Sequence, residues 1–334
     1  MGKQGSSSTS ILTHRKFSLD KYGPYIILIG LYAVFSAFSS TFLKWSTIYL
    51  LLQQNAAVGI VGLGIMTIVI SGDLDFTVGE TVALAGVTAT KIYMSTGENL
   101  IVMILCVLAI GALVGFVNGI IITKLKIQAF ITTLAMMQII KGLTMIIGEA
   151  TSPTLTKADI GFVGAGSVFG FFPMPFVILV FMVVLTWFIM NKTKLGVYWY
   201  AIGGNENVAM QAGINVDKAR ILSHMYGAIC AGVAALITVA RIRTVVPNIS
   251  GTMLLDGCAA AIIGGTSVSG GKGSVFGTIA GVFIISLIST ALVFFQVSSV
   301  YQTAVKGAFI LLALIVNSTI SYVSERQGSK AARV

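Results

Sequence analysis

Leu100-Ile-Val-Met-Ile-Leu-Cys-Val-Leu-Ala-Ile110-Gly-Ala-Leu-Val-Gly-Phe-Val-Asn-Gly-Ile-Ile-Ile122 contains no charged side chain and is longer than the ~20 residues a helix needs to cross the hydrocarbon core of a bilayer. The rest of the chain has the same character. With 56% hydrophobic residues, 10% charged residues and a mean hydropathy of +0.95, 334 residues cannot hide their apolar surface in a water-soluble globule. The reading is an all-α polytopic membrane protein of about ten transmembrane helices. The apolar intervals are 25–42, 48–70, 77–94, 100–122, 130–148, 173–190, 221–240, 253–264, 275–295 and 301–323. Interval 77–94 is interrupted by Gly and Thr. Interval 253–264 is too short to cross alone and suits a half-helix lining a cavity.

The expected domains are a polar cytoplasmic tail over 1–24, a membrane domain over 25–323 and a cytoplasmic tail over 324–334. The N-terminal stretch lacks the short apolar core and cleavage site of a secretory leader. If both termini are cytoplasmic, fourteen of the 21 Lys and Arg residues fall inside, whereas Lys44, Lys91, Lys157, Arg241 and Arg243 fall outside. That bias favours a multi-pass protein of the bacterial cytoplasmic (inner) membrane with both termini inside. The net charge of +10 then reflects topology rather than a nucleic-acid surface.

The longest polar interruption runs over 191–220. Asn205 is suited to N-cap a short helix begun by Glu206, and Gly213 to end it with a left-handed residue. So short a helix is marginal alone, and Val208, Ala209, Met210 and Ala212 give it an apolar surface that needs a partner. An ordinary surface loop with one helical turn is the plainer reading. Gly111, Gly115 and Gly119, and likewise Gly277 and Gly281, recur every four residues, as close helix packing requires.

Gly264, Gly265, Gly270 and Gly271 lie in a stretch too glycine-rich to continue a helix and read as irregular backbone beside a moving part. It is not a phosphate loop: counting from Lys272, position 266 is Thr where Gly is needed, and position 273 is Gly where Ser or Thr is needed.

Between the second and third intervals, Ser71-Gly-Asp-Leu-Asp-Phe-Thr-Val-Gly-Glu80 holds Thr77 and Glu80 at capping-box spacing. That leaves Asp73 and Asp75 for either a solute pathway or a backbone cap. Gln53, Gln54, Asn55 and Asn118 add uncharged polar groups within the spans. They fit a route for a hydroxyl-rich solute or hydrogen bonds between helices. Cys106, Cys230 and Cys258 read as packing residues. With two histidines, His14 and His224, no metal cluster, catalytic constellation or cofactor site is expected.

Three segments, Ser71–Gly79, Tyr200–Ile214 and Ala261–Ser274, resemble signature segments of the ribose-type ABC importer permeases, in order and spacing, within a similarity over about 25–323. The resemblance implies an architecture like that of the vitamin B12 importer permease. Its implied partners are a second permease copy or related chain, two cytoplasmic ATP-binding subunits or one tandem ATPase, an extracytoplasmic solute-binding protein and membrane lipid. Gly204, Asn205, Glu206, Ala209 and Gly213 then match the ATPase-docking loop. Asp73 and Glu80 depart from relatives that commonly carry glycine and serine there. The implied function is translocation of a monosaccharide or related polyol without bond chemistry. The rival classes are an ion-gradient-driven secondary transporter using Asp73 and Asp75, and a membrane-embedded enzyme.

Overall fold

The computed structural model describes residues 19–148, 154–244, 249–298 and, apart from 303, 309, 310, 313 and 314, residues 301–315. The chain forms α1 (Leu19–Phe38), a 3₁₀ turn (Ser40–Leu43), α2 (Trp45–Ile70), α3 (Thr77–Ser95), α4 (Leu100–Lys124), α5 (Ala129–Gly148) and α6 (Ala158–Ala165). A two-stranded hairpin follows, with β1 (Ser167–Val168) antiparallel to β2 (Phe172–Pro173). The remainder is α7 (Met174–Lys192), α8 (Lys194–Gly204), α9 (Glu206–Gln211), α10 (Val216–Ile242), α11 (Met253–Ile263) and α12 (Val275–Phe294).

Among the described residues, six helices are long and apolar enough to cross a membrane: α2, α4, α5, α7, α10 and α12. Shorter apolar helices occupy Tyr22–Phe38 and Met253–Ile263. Helix α3 is unbroken over its 19 residues despite its Gly and Thr, and most of them are buried. Its modest hydropathy follows from that burial, because it packs on α4, α5 and α10 rather than on lipid. Helix α11, at 11 residues, is about 16 Å long at 1.5 Å per residue, roughly half a membrane crossing. It packs on α2 and α12. The tails over 1–18 and 324–334 and most of interval 301–323 lie outside the described residues.

Two long helices, α2 and α10, form the centre. Helix α10 packs most extensively on α4 and then on α2, α3 and α6. The glycines explain how. A Cβ at Gly111 or Gly115 would collide with the carbonyls of Ala228 or His224, and one at Gly119 would lie 2.7 Å from the Ile221 Cα. Gly64 of α2 and Gly164 of α6 likewise face the α10 backbone at Gly227 and Ala240. On the outside, α4, α5 and α7 expose Leu105, Leu113, Ile139, Ile146, Phe181 and Phe188. That apolar shell is what lipid requires.

Gly115→Leu should lower the thermal stability of the detergent-solubilised chain by about 1–3 kcal/mol or more, because the added atoms meet backbone that cannot rotate away. Gly142 has open space where its Cβ would go, so Gly142→Ala should be neutral or stabilising by up to ~1 kcal/mol. Equal shifts in the two melting temperatures would contradict this account of the α4–α10 seam.

Candidate functional site

Three helices stop at one end of the bundle with the same hydrogen-bonded device. After α2, Gly72 takes φ +90° while its N–H reaches the Val69 carbonyl and the Asp73 N–H that of Ile68. After α9, Gly213 (φ +81°) bonds to Met210, and Ile214 to Ala209. After α11, Gly265 (φ +90°) bonds to Ile262, and Thr266 to Ala261. Each is a Schellman motif, which needs a left-handed residue that glycine adopts without steric cost.

These stops bring the three segments 71–79, 200–214 and 261–274 together. The Gly271 N–H donates to the Ile70 carbonyl, one of the last acceptors of α2, at 2.9 Å. A Cβ on Gly203 would collide with that carbonyl and come within 2.5 Å of the Gly271 nitrogen, while Gly270 packs on Gly203 and Gly72. The Tyr200 hydroxyl donates to the Gly273 carbonyl at 3.0 Å. Burial pushes its pKa above the usual phenol value, which keeps the donor proton in place. Helix α8 is fixed by Trp199, which is buried and donates its Nε1–H to the Ala219 carbonyl at 2.8 Å. Burying an indole of this size contributes on the order of 4 kcal/mol.

Beside this junction lies a cluster of charges. Glu206, the first residue of α9, accepts two bonds from the Arg220 guanidinium, at 3.2 and 2.8 Å. The Arg220 Nε is 3.3 Å from Asp73 Oδ2. His224 sits between the carboxylates, with Nε2 at 3.3 Å from Asp73 Oδ2 and Nδ1 at 2.8 Å from Asp75 Oδ2. Asp75 also accepts from the Thr77 backbone N–H at 2.8 Å and from the Thr77 hydroxyl, and Asn118 Nδ2 donates to Thr77 Oγ1 at 2.8 Å. Each His224 ring nitrogen faces one of the two aspartates, so the ring bridges them. Two basic side chains, Arg220 and His224, thus face three carboxylates, Glu206, Asp73 and Asp75.

The expected capping box is not formed. Thr77 lies inside α3 rather than at its N-cap, and Asp75 supplies the acceptor for the first turn. The cap reading of Asp75 is therefore correct, with a buried ion pair added to it. The α9 helix does form, with Asn205 Oδ1 accepting from the Val208 N–H at 3.1 Å. Gly204, Asn205 and Gly213 are exposed. Ala209 is 2% exposed and faces the bundle, so the outward apolar surface consists of Val208 (59%), Met210 (52%) and the exposed Ala212.

The polar residues named as pathway candidates divide in two. Asp73, Asp75 and Asn118 meet in the charge cluster, all buried. Gln53, Gln54 and Asn55 lie in the N-terminal half of α2. Gln53 donates to the Gly164 carbonyl at 3.2 Å, Asn55 to Leu51 at 2.8 Å, and Arg241 approaches the Gln54 carbonyl at 3.5 Å. Of the glycines, Gly264 meets the backbone of Gly277, Gly265 ends α11, and Gly270 and Gly271 belong to the junction. Asp256 pairs with Lys306 at 3.5 Å. Sequence reading passed over Gly72, Gly203, Arg220 and His224. The spacing of Arg220 and His224, one turn apart at the entrance to a span, was the signal, since two buried carboxylates need cations on one face.

The described residues form a bundle of apolar helices with a buried charge network at one end. Residues 46–314 match the family described as "branched-chain amino acid transport system / permease component", and the chain belongs to that family. It is 36% identical over 297 residues to the ribose import permease of Escherichia coli (strain K12), covering 88% of this chain and 92% of that one. It is 34% identical over 301 residues to the ribose import permease of Bacillus subtilis (strain 168), covering 90% and 93%. It is 30% identical over 303 residues to the D-allose transport system permease of Escherichia coli (strain K12), covering 90% and 93%. No solved structure matches.

Asp75→Ala and His224→Ala should each cost about 3–5 kcal/mol, since each leaves a buried charge unpaired, and the double variant should cost clearly less than the sum. Additive losses in a thermal double-mutant cycle would show that the two residues do not interact. A second pair of variants tests the glycine junction: Gly203→Ala should destabilise the chain, and Gly204→Ala, with nothing within 4 Å of its Cβ, should not. The same thermal assay reads both.

Proposed function

We propose that this chain is the membrane-spanning subunit of an ATP-binding-cassette importer that carries a monosaccharide. The observation that carries the reading is the kinship with ribose and D-allose permeases over about nine-tenths of the chain. In this reading the partners are two ATP-binding subunits or one tandem ATPase, an extracytoplasmic solute-binding protein and a second permease chain. The chain itself breaks no bond. ATP binding and hydrolysis on the partner displace a docking element, and the helices alternate access to the solute.

The α9 end is the cytoplasmic one in this reading, with about ten spans arranged as in the vitamin B12 importer permease. Its Lys124, Lys126, Lys192, Lys194, Lys218, Arg220 and Lys272 supply the positive charge that cytoplasmic loops carry. The docking surface is α9 with its flanks at Gly204, Asn205, Glu206 and Gly213, and its contact side chains are the exposed Val208 and Met210. Gln53, Gln54 and Asn55 line the outer part of the solute route. Asp73, Asp75 and Asn118 shape its cytoplasmic end, and Gly264, Gly265, Gly270 and Gly271 leave the backbone free to rearrange there.

The test is uptake by proteoliposomes holding the chain with its ATPase and binding protein, assayed with labelled D-ribose, D-allose, D-galactose and L-leucine. We expect ATP-dependent accumulation of a sugar that survives collapse of proton and sodium gradients. Leucine uptake instead would favour the branched-chain amino acid description of the family. Uptake without ATPase, driven by an ion gradient, would establish the secondary-transporter class. Met210→Glu should reduce co-purification of the ATPase by about ten-fold, the loss expected when a charge is buried at the centre of an apolar contact, and should leave membrane insertion intact. Unchanged co-purification would remove α9 from the interface.

A further inference from the structure

We propose that Arg220 is a positioning residue that couples α9 to the membrane core, through a bridge running Glu206–Arg220–Asp73–His224–Asp75. This rests on the ATP-driven importer reading and names the strut through which displacement of α9 would reach the spans.

The bridge ties α9, which packs little on α10, to α10 and the turn between α2 and α3. Glu206 begins α9, Arg220 and His224 lie one turn apart on α10, and Asp73 and Asp75 belong to the turn between α2 and α3. From Asp75 the contacts continue into the first turn of α3 at Thr77 and to Asn118 of α4. Direct packing of α9 on α10 is slight beside that of α8 on α9, so the guanidinium fork is a principal tie between them. A rigid fork transmits direction as well as position, which a flexible ammonium does not.

The two halves of the bridge differ in how easily they part. Side-chain exposure falls from 40% at Glu206 to 20% at Arg220, 7% at Asp73, 1% at Asp75 and 0% at His224. Released from Arg220, Glu206 is rehydrated at once, and Arg220 and His224 remain beside the two aspartates. Released from Arg220, Asp73 would have only His224, already shared with Asp75, and little water. The inner half is thus a fixed anchor and the outer half an exchangeable bond. The hydrogen bonds are distributed the other way: the Arg220 Nε is buried and 3.3 Å from Asp73 without an aligned hydrogen bond, while both terminal nitrogens are aligned on Glu206. A small displacement of α9 would let Arg220 turn from the outer carboxylate to the inner one. That exchange changes what the 71–76 turn is held by, and the same turn carries the Gly72 contact with Gly270.

Coupling is read as sugar accumulated per ATP hydrolysed, in purified complexes of equal subunit composition in proteoliposomes. The probe is whichever of labelled D-ribose, D-allose and D-galactose the wild type accumulates. Arg220→Gln should lower that ratio by about ten-fold, in the range of ordinary coupling free energies, with ATP still hydrolysed. Arg220→Lys keeps the charge beside Asp73 and loses the fork, so it should recover part of the ratio. Glu206→Gln touches only the half-exposed outer bond, folds irrespective of the buried cluster, and should lower the ratio on its own. Uptake and hydrolysis falling in the same proportion would reduce Arg220 to a structural or assembly role. An unchanged ratio in Glu206→Gln would overturn the strut even if Arg220→Gln failed to assemble. Absence of ATP-dependent uptake by the wild type would instead overturn the importer reading.

Discussion

The close approach of backbones around α10 is the constraint on which the rest of the structure depends. Between helices in lipid there is no hydrophobic driving force, so association depends on van der Waals contact and on polar groups satisfied within the protein. Glycines of α2, α4 and α6 let α10 come within backbone contact of all three. One consequence is chemical. Gly115 and Gly119 admit the His224 and Ile221 turns of α10 against α4, so the His224 ring and Asn118 reach the same carboxylate, Asp75. A side chain at position 115 would push α10 outward and open the ion pair that balances the 71–76 turn.

That turn explains why the irregular segments gather at one end. A helix that stops inside a bundle leaves its last carbonyls without partners. Here α2, α9 and α11 each fold the chain back over their own last turn through a left-handed glycine, and the Gly271 N–H satisfies what α2 leaves over at Ile70. Where the three segments meet, Gly72, Gly203 and Gly270 pack backbone to backbone, which only residues without a Cβ allow. The junction is held by backbone bonds and shape, and the neighbouring charges hold it by valence.

Much of the fold was legible because hydropathy and length read helix existence directly. Nine of the expected apolar intervals, from 25–42 to 275–295, contain helices. The reading was weakest where the surroundings differ from lipid. Helix α3 is sheathed by protein and tolerates Gly and Thr, and α8 escaped notice because its Tyr, Trp and Gly content reads as loop until Trp199 finds the α10 backbone. The α9 helix and its caps were legible since capping is local chemistry, whereas the inward direction of Ala209 depends on the orientation of α9 on the bundle. The charge cluster was only half legible. Asp73 and Asp75 stood out as costly carboxylates, yet their partners lie about 150 positions away, and the one-turn spacing of Arg220 and His224 marks a polar face without saying what it meets.

The geometry also separates two roles that composition alone merges. Gln53 lies on α2 and Asp73 just beyond its end at Ile70, so about 26 Å of helix rise divides the two polar groups. They cannot contact one small solute at the same moment. The outer group is made of neutral amides bonded to nearby carbonyls, partners that a hydroxyl-rich solute can replace one for one. The inner group consists of carboxylates already held by a guanidinium and an imidazole. A neutral solute that displaced those cations would leave charges unpaired where little water reaches, a cost its own hydroxyls do not offset. In the importer reading proposed above, the amides are the groups suited to meeting a solute, and the ion pairs those suited to holding the bundle in register.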